Sequence, residues 1–76
     1  MDILIVDDES IIRDASLMLV EDAGHYGEAV ATGESALASI KEAAFDLVLL
    51  DLNLGPENGL DVLREIQKIK PELAVI

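Results

Sequence analysis

The sequence contains no cysteine among its 76 residues. Disulfide bonds, thiolate metal sites and thiol-based catalysis are therefore excluded. The only histidine is His25, which follows the first predicted helix, and we interpret it as a surface or loop residue. A zinc site is not expected, because zinc in proteins is held mainly by cysteine and histidine.

Basic residues are also scarce: 5 lysines and arginines stand against 16 acidic residues, which gives a net charge of −11. Such a surface repels nucleic acid and anionic membranes, so direct binding to either is not expected. An acidic surface of this kind favours binding to a cation or to a basic patch on a partner protein. Because no apolar run approaches the roughly 20 residues of a membrane span and no signal peptide is recognisable, we predict a cytoplasmic protein.

The length suits one small domain, and the 51% of hydrophobic residues favours a packed core over disorder. Short β-branched apolar runs alternate with segments of helical spacing. In the first helix, Ile12, Ala15, Leu19 and Ala23 share one apolar face. The pattern predicts strands at 3–6, 26–31, 47–50 and 73–76, helices at 9–23, 35–44 and 60–69, and a loop at 53–59.

This βαβαβαβ order indicates an α/β fold, a parallel sheet with helices on both faces and right-handed crossovers. The last predicted strand lies at an edge of the sheet. If the first strand is central, the second and third strands lie on opposite sides of it. Ligands of such sheets bind outside the carboxyl ends of the strands, at the point where the strand order reverses.

Two stretches end buried strands on acidic residues: "LIVDDES" contains Asp7, Asp8 and Glu9, and "LVLLDLN" contains Asp51. The predicted topology brings Asp7, Asp8 and Asp51 to one crevice. Like charges about 4 Å apart repel by roughly 4 kcal/mol at an effective dielectric of about 20, so a proton or a cation is expected among them. Oxygen ligands with room for water suit Mg²⁺ or Mn²⁺. The alternative is that residues 7–9 merely cap the first helix.

These motifs resemble the receiver domains of two-component response regulators. The matching stretches are "LIVDDES", "GESAL", "DLVLLDLNL" and "ENGLDVLREI", and Gly59 lies eight positions after Asp51. The resemblance covers the whole chain and implies a flavodoxin-like (CheY-like) fold. It also implies that residues 1–76 are about the first three-fifths of such a domain, with the last helices and the fifth strand missing.

By this resemblance, Asp51 accepts a phosphoryl group from a sensor histidine kinase or a phosphotransfer protein. Asp8 and Asp51 would bind Mg²⁺ directly, Asp7 through a water molecule, and Asn53 through its backbone carbonyl. Such a domain is a phosphoacceptor rather than an enzyme, with only self-phosphorylation from a donor and slow loss of the phosphoryl group.

The sequence departs from the family pattern in two ways. The family usually has proline four positions after the phosphoacceptor, where this chain has Gly55 followed by Pro56. The chain also ends before the family's switch serine or threonine and its lysine. Lys41, Lys68 and Lys70 lie on predicted helices, so none is assigned the lysine's role.

We interpret the chain as a truncated receiver domain and expect its exposed last strand to favour self-association. Two alternatives remain open at this point. One is a non-signalling dimerisation or scaffold module that has kept the metal cluster. The other is a phosphatase similar to haloacid dehalogenases, although the motif of such enzymes has a second aspartate at the position where this chain has Asn53.

Overall fold

Six strands and three helices make up the fold in a computed structural model that describes residues 1–76. In chain order they are β1 (Asp2–Val6), α1 (Ser10–Asp22), β2 (Tyr26–Val30), α2 (Gly33–Glu42), β3 (Leu47–Leu50), β4 (Asn53–Leu54), β5 (Glu57–Asn58), α3 (Gly59–Ile69) and β6 (Ala74–Val75). The main sheet has the order β2-β1-β3-β6, and all its strand pairs are parallel. The predicted α/β fold with a central first strand is confirmed.

The register of the sheet aligns the carboxyl ends of its central strands. Val6, the last residue of β1, lies opposite both Val30 of β2 and Leu50 of β3. The residues that follow these ends therefore meet at one edge of the sheet. This alignment places Asp7 next to Asp51.

The two faces of the sheet are covered unequally. Helices α2 and α3 lie on one face, where nine buried residues form the main core: Leu4, Val6, Ala36, Ile40, Val48, Leu50, Leu54, Val62 and Ile66. Only α1 covers the other face, where Val20 packs against Ile3 and Ile5. At about 25 cal/mol per Å² of apolar surface, the first face supplies most of the hydrophobic stabilisation.

The predicted inward face of α1 is wrong. Leu19 is 70% exposed and Ile12 is 46% exposed, and Ala15 and Ala23 are exposed too. Val20 is the buried residue of this helix. The helix carries apolar residues on more than one side, so periodicity alone could not tell which side the sheet would contact.

Helix α3 was predicted correctly in extent, apart from one residue at its start. Val62 and Ile66 are its buried apolar residues, whereas Leu60 is 45% exposed. None of the three helices is both long enough and apolar enough to cross a membrane.

The segment predicted as a loop at 53–59 contains a small antiparallel hairpin made of β4 and β5. Gly55 has a positive φ of 65° in its turn, and Pro56 follows. A two-residue turn with glycine at the first central position is typical of tight hairpins. Leu54 anchors the hairpin, since it is only 2% exposed in the main core.

Strand β6 confirms the predicted last strand, in a shorter form. It pairs with β3, and backbone hydrogen bonds extend the pairing to Ile76, which donates to Val48 and accepts from Leu50. β6 is at one edge of the sheet and β2 at the other.

Candidate functional site

Three carboxylates converge at the carboxyl end of the sheet. Asp7 and Asp8 follow β1, Asp51 follows β3, and each contributes an oxygen within 4.8 Å of the others' oxygens. Asp7 and Asp51 are half-buried and Asp8 is exposed. The structure therefore brings together the three acidic side chains that the sequence predicted to meet.

Local hydrogen bonds fix the loop that carries Asp7. Its Oδ1 accepts a 2.9 Å hydrogen bond from the backbone N–H of Glu9. Its backbone carbonyl accepts a 3.0 Å hydrogen bond from the half-buried Arg13 guanidinium. Sequence reasoning did not assign Arg13 a role at the site, although a cation one turn into the helix after an acidic loop is a recognisable signal.

Asp51 is held by its backbone and by the residue two positions on. Its N–H donates a 3.0 Å hydrogen bond to the carbonyl of Val6, which continues the ladder between β1 and β3. Its Oδ1 accepts a 2.9 Å hydrogen bond from the N–H of Asn53. One carboxylate oxygen is thus oriented by the chain, which leaves Oδ2 for a ligand.

Helix capping does not account for the acidic cluster. Glu9 occupies the N-cap position of α1, but its side chain makes no capping hydrogen bond, and the first turn contains no acidic residue. The alternative that residues 7–9 merely cap the first helix is therefore not supported at the N-cap position. Asp51 is followed by β4 and not by a helix, so capping cannot explain it either.

The geometry of the cluster fits a small divalent cation. Oxygens on opposite sides of a Mg²⁺ ion with bonds near 2.1 Å are about 4.2 Å apart, which is compatible with oxygens that all lie within 4.8 Å of one another. All three side-chain donors are hard carboxylate oxygens, and the partial exposure of the cluster leaves room for water. Such a set suits Mg²⁺ or Mn²⁺.

The remaining predicted ligand, Asn53, lies on β4 next to the cluster. The N–H of Asn53 donates to Asp51 Oδ1, and the residue is exposed. The hairpin turn also approaches the cluster, since a Cβ added to Gly55 would lie 3.1 Å from Asp8 Oδ2. The backbone of residues 53–55 is therefore adjacent to the carboxylates.

Lysines are absent from this end of the molecule. Lys41 and Lys68 are in the last turns of α2 and α3, and Lys70 is the C-cap residue of α3. In a parallel α/β sheet these helix ends lie at the opposite edge from the strands' carboxyl ends. The three lysines therefore lie away from the carboxylate cluster.

An open cleft of about 340 Å³ lies beside Asp7 and Asp51. Apolar residues of the sheet, including Leu49 and Ile76, and Ser16 of α1 line the rest of it. A larger cavity of about 420 Å³ lies at the other end, between the C-terminal ends of α2 and α3. Two of the three clustered carboxylates, Asp7 and Asp51, line the first of these, and none lines the second.

Residues 3–76 match the family described as the response regulator receiver domain. The chain belongs to this family. Receiver domains are modules of two-component response regulators, and the interpretation drawn from the "LIVDDES" and "LVLLDLN" stretches is confirmed at the level of the family.

Response regulators are also among its relatives. The chain is 39% identical over 74 residues to the alginate biosynthesis transcriptional regulatory protein AlgB of Pseudomonas aeruginosa, an alignment that covers 97% of this chain and 16% of AlgB. It is 36% identical over 67 residues to the two-component response regulator PhoP of the same species, covering 88% of this chain and 30% of PhoP.

Solved structures agree with the fold. The receiver domain of NtrX from Brucella abortus superposes with a TM-score of 0.93 at 45% identity, covering 97% of this chain and 63% of that one. The response regulator TrrA from Thermotoga maritima, in complex with Mg²⁺–BeF, superposes with a TM-score of 0.91 at 34% identity, covering 97% of this chain and 64% of that one. The receiver fold is therefore shown, and the chain spans a small part of the full-length regulators.

Proposed function

We propose that this chain accepts a phosphoryl group on Asp51 from a sensor histidine kinase or a phosphotransfer protein, with Mg²⁺ bound beside it. The observation that carries the proposal is the convergence of Asp7, Asp8 and Asp51 within 4.8 Å at the end of the central strands. Membership of the receiver family supports the reaction type.

The proposed reaction is a phosphoryl transfer to a carboxylate. An oxygen of Asp51 attacks phosphorus, an O–P bond forms, and the N–P bond of the donor phosphohistidine breaks. The donor imidazole keeps the electron pair of that bond and takes up a proton. Because Asn53 orients the Asp51 carboxylate through Oδ1, the other oxygen is presented to the cleft.

The residues that would hold Mg²⁺ are those at the strand ends. Asp8 and Asp51 would bind it directly, Asp7 through a water molecule, and Asn53 through its backbone carbonyl. When bound, Mg²⁺ offsets the negative charge of the carboxylates and of the phosphoryl oxygens. The similarity to TrrA, which was solved with Mg²⁺–BeF, supports this assignment.

We also propose that residues 1–76 correspond to the N-terminal three-fifths of a receiver domain. Support comes from the alignment with the NtrX receiver domain, of which the chain covers 63%. Repeated turnover is not expected, since the site offers an acceptor carboxylate and no residue placed as a general acid. A haloacid dehalogenase-like phosphatase would release phosphate from small esters continuously.

We propose self-association through β6 as a further property of this chain. The strand pairs with β3 on one side only, so the backbone groups on its other side can pair with a second copy. Analytical sedimentation at micromolar concentration tests this. A stable folded monomer under those conditions would contradict it.

The decisive experiment for the phosphoacceptor function is labelling with acetyl phosphate. We expect Mg²⁺-dependent incorporation of one phosphoryl group per chain, and its loss in Asp51→Asn. Glu9→Gln is the matched control, because Glu9 is exposed and makes no capping contact. A wild-type chain that binds Mg²⁺ and never takes up a phosphoryl group would favour the scaffold alternative.

A further inference from the structure

The hairpin formed by β4 and β5 contacts a second place besides the carboxylate cluster. Glu57, in β5, extends its carboxylate to the N-terminus of α2, where Oε1 accepts a 2.9 Å hydrogen bond from the backbone N–H of Gly33. Glu57 and this hydrogen bond are half-buried.

This contact adds a second capping hydrogen bond to α2. The first turn of a helix has N–H groups without partners inside the helix. Thr32, the N-cap residue, accepts a hydrogen bond from the N–H of Ser35. Glu57 accepts one from the N–H of Gly33. A carboxylate at this end of a helix is also favoured by the helix dipole.

Gly33 leaves the space that Glu57 occupies. A Cβ at position 33 would lie 2.7 Å from Glu57 Oε2 and 2.5 Å from Cγ2 of Val62. The buried glycine therefore allows a carboxylate from another part of the chain to reach the helix end. The contact is a packed one, between segments 24 positions apart.

The other side of the hairpin lies against the carboxylate cluster. The N–H of Asn53 donates to Asp51 Oδ1, and the backbone of Gly55 lies close to Asp8. Asn53 and Asn58 are partners across the hairpin, and so are Leu54 and Glu57. Glu57 therefore lies on the strand that pairs with the one following Asp51.

We propose that Glu57 is a positioning residue for the phosphoacceptor site. By binding the N-terminus of α2, it holds the hairpin in the place where Asn53 orients the Asp51 carboxylate and where the proposed backbone ligand lies. A two-stranded hairpin of this length is not stable by itself, so its position depends on such attachments. Leu54, buried in the core, is another attachment.

The role of Glu57 rests on the proposed function in one respect: Glu57 is expected to raise the affinity of the proposed site for Mg²⁺. Linkage then requires the reverse effect: Mg²⁺ binding must strengthen the contact between Glu57 and α2 by the same factor. The attachment itself exists independently of the metal, so it can be measured in metal-free protein.

The test compares Glu57→Met with Glu57→Gln. Methionine keeps the bulk of the side chain but cannot accept the hydrogen bond from Gly33, whereas glutamine retains an acceptor oxygen. Glu34→Met is the matched control, since Glu34 is an exposed acidic residue in the first turn of the same helix. It removes one negative charge from the same end of α2.

The first measurement is backbone amide order parameters of residues 53–58 by ¹⁵N relaxation, without metal. In Glu57→Met we expect them to fall from about 0.85 toward about 0.6, and to stay unchanged in Glu57→Gln and Glu34→Met. Unchanged order in Glu57→Met would overturn the inference, whatever the metal does.

The second measurement is Mg²⁺ affinity by NMR titration. We expect Glu57→Met to weaken it about 10-fold, the low end of the effect of residues that support metal ligands, and Glu57→Gln to restore most of it. An equal loss in Glu34→Met would mean a charge effect alone and would overturn the inference. If the wild-type chain bound no Mg²⁺, the proposed function would fail, while the order parameters would still decide the role of Glu57.

Discussion

The N–H of Asp51 donates a 3.0 Å hydrogen bond to the carbonyl of Val6, the last residue of β1. This bond joins the ends of two strands that are more than forty residues apart in sequence. Because Asp7 and Asp8 follow Val6 directly, it also sets the position of Asp51 relative to both. The proposed metal site is thus an extension of the backbone ladder between β1 and β3, so it is built on a rigid part of the fold.

Stability should depend on Mg²⁺ through Asp8. In wild-type protein, a Mg²⁺ concentration 100 times the dissociation constant should raise the free energy of unfolding by about 2.7 kcal/mol. Asp8→Asn should lose this response, and without Mg²⁺ it should be at least as stable as wild type because one of three like charges is removed. Thermal melts with and without Mg²⁺ measure both effects. Equal Mg²⁺ responses in the two proteins would exclude Asp8 as a ligand.

Gly59→Ala should be strongly destabilising. A Cβ at position 59 would collide with the backbone of Leu52, including its carbonyl oxygen and carbon at 2.6 and 2.7 Å. Backbone cannot move aside as a side chain can, so we expect a cost of about 3 kcal/mol or more. Leu52 is adjacent to Asp51, so Mg²⁺ affinity should fall as well. Urea unfolding is the measurement, and a cost below about 1 kcal/mol would contradict the close approach.

Gly55→Pro should destabilise the protein, although proline is the usual residue of the family at this position. Gly55 has a φ of 65°, whereas proline is restricted to values near −65°. We expect a loss of more than about 1 kcal/mol, because the native conformation is incompatible with the ring. The control is Pro56→Ala, in the same turn, which should cost less.

Two neighbouring residues of α1 test which side of this helix packs. Val20→Ala should cost about 1–3 kcal/mol, because Val20 is buried against Ile3 and Ile5. Leu19→Ala should change stability by no more than about 0.5 kcal/mol, since Leu19 is exposed. Urea unfolding of both variants gives the comparison. A larger loss of stability in Leu19→Ala than in Val20→Ala would mean that the helix packs through the face that the sequence pattern predicted.

The order of the elements could be predicted from the sequence because it depends on local features. Four-residue apolar runs such as 47–50 are too short for helices, and the segments between them have helical periodicity. The proximity of Asp7, Asp8 and Asp51 followed from topology alone, since each directly follows a central strand. These predictions needed only the order of strands, which parallel α/β folds restrict strongly.

The hairpin and its attachment could not be predicted in the same way. The "LGPE" stretch contains a turn signal, but two-residue strands have no periodicity to detect. Nothing in the local sequence shows that Glu57 reaches Gly33, because their contact depends on how α2 and the hairpin pack around Leu54.

The sequence by itself determined the alternation of strands and helices, the family and the acidic residues at the strand ends, because these are written in composition and spacing along the chain. Tertiary structure alone decided which side of α1 is buried and which acidic side chain is a structural contact. Both depend on packing between segments distant in sequence, where a residue's role is set by its neighbours in space.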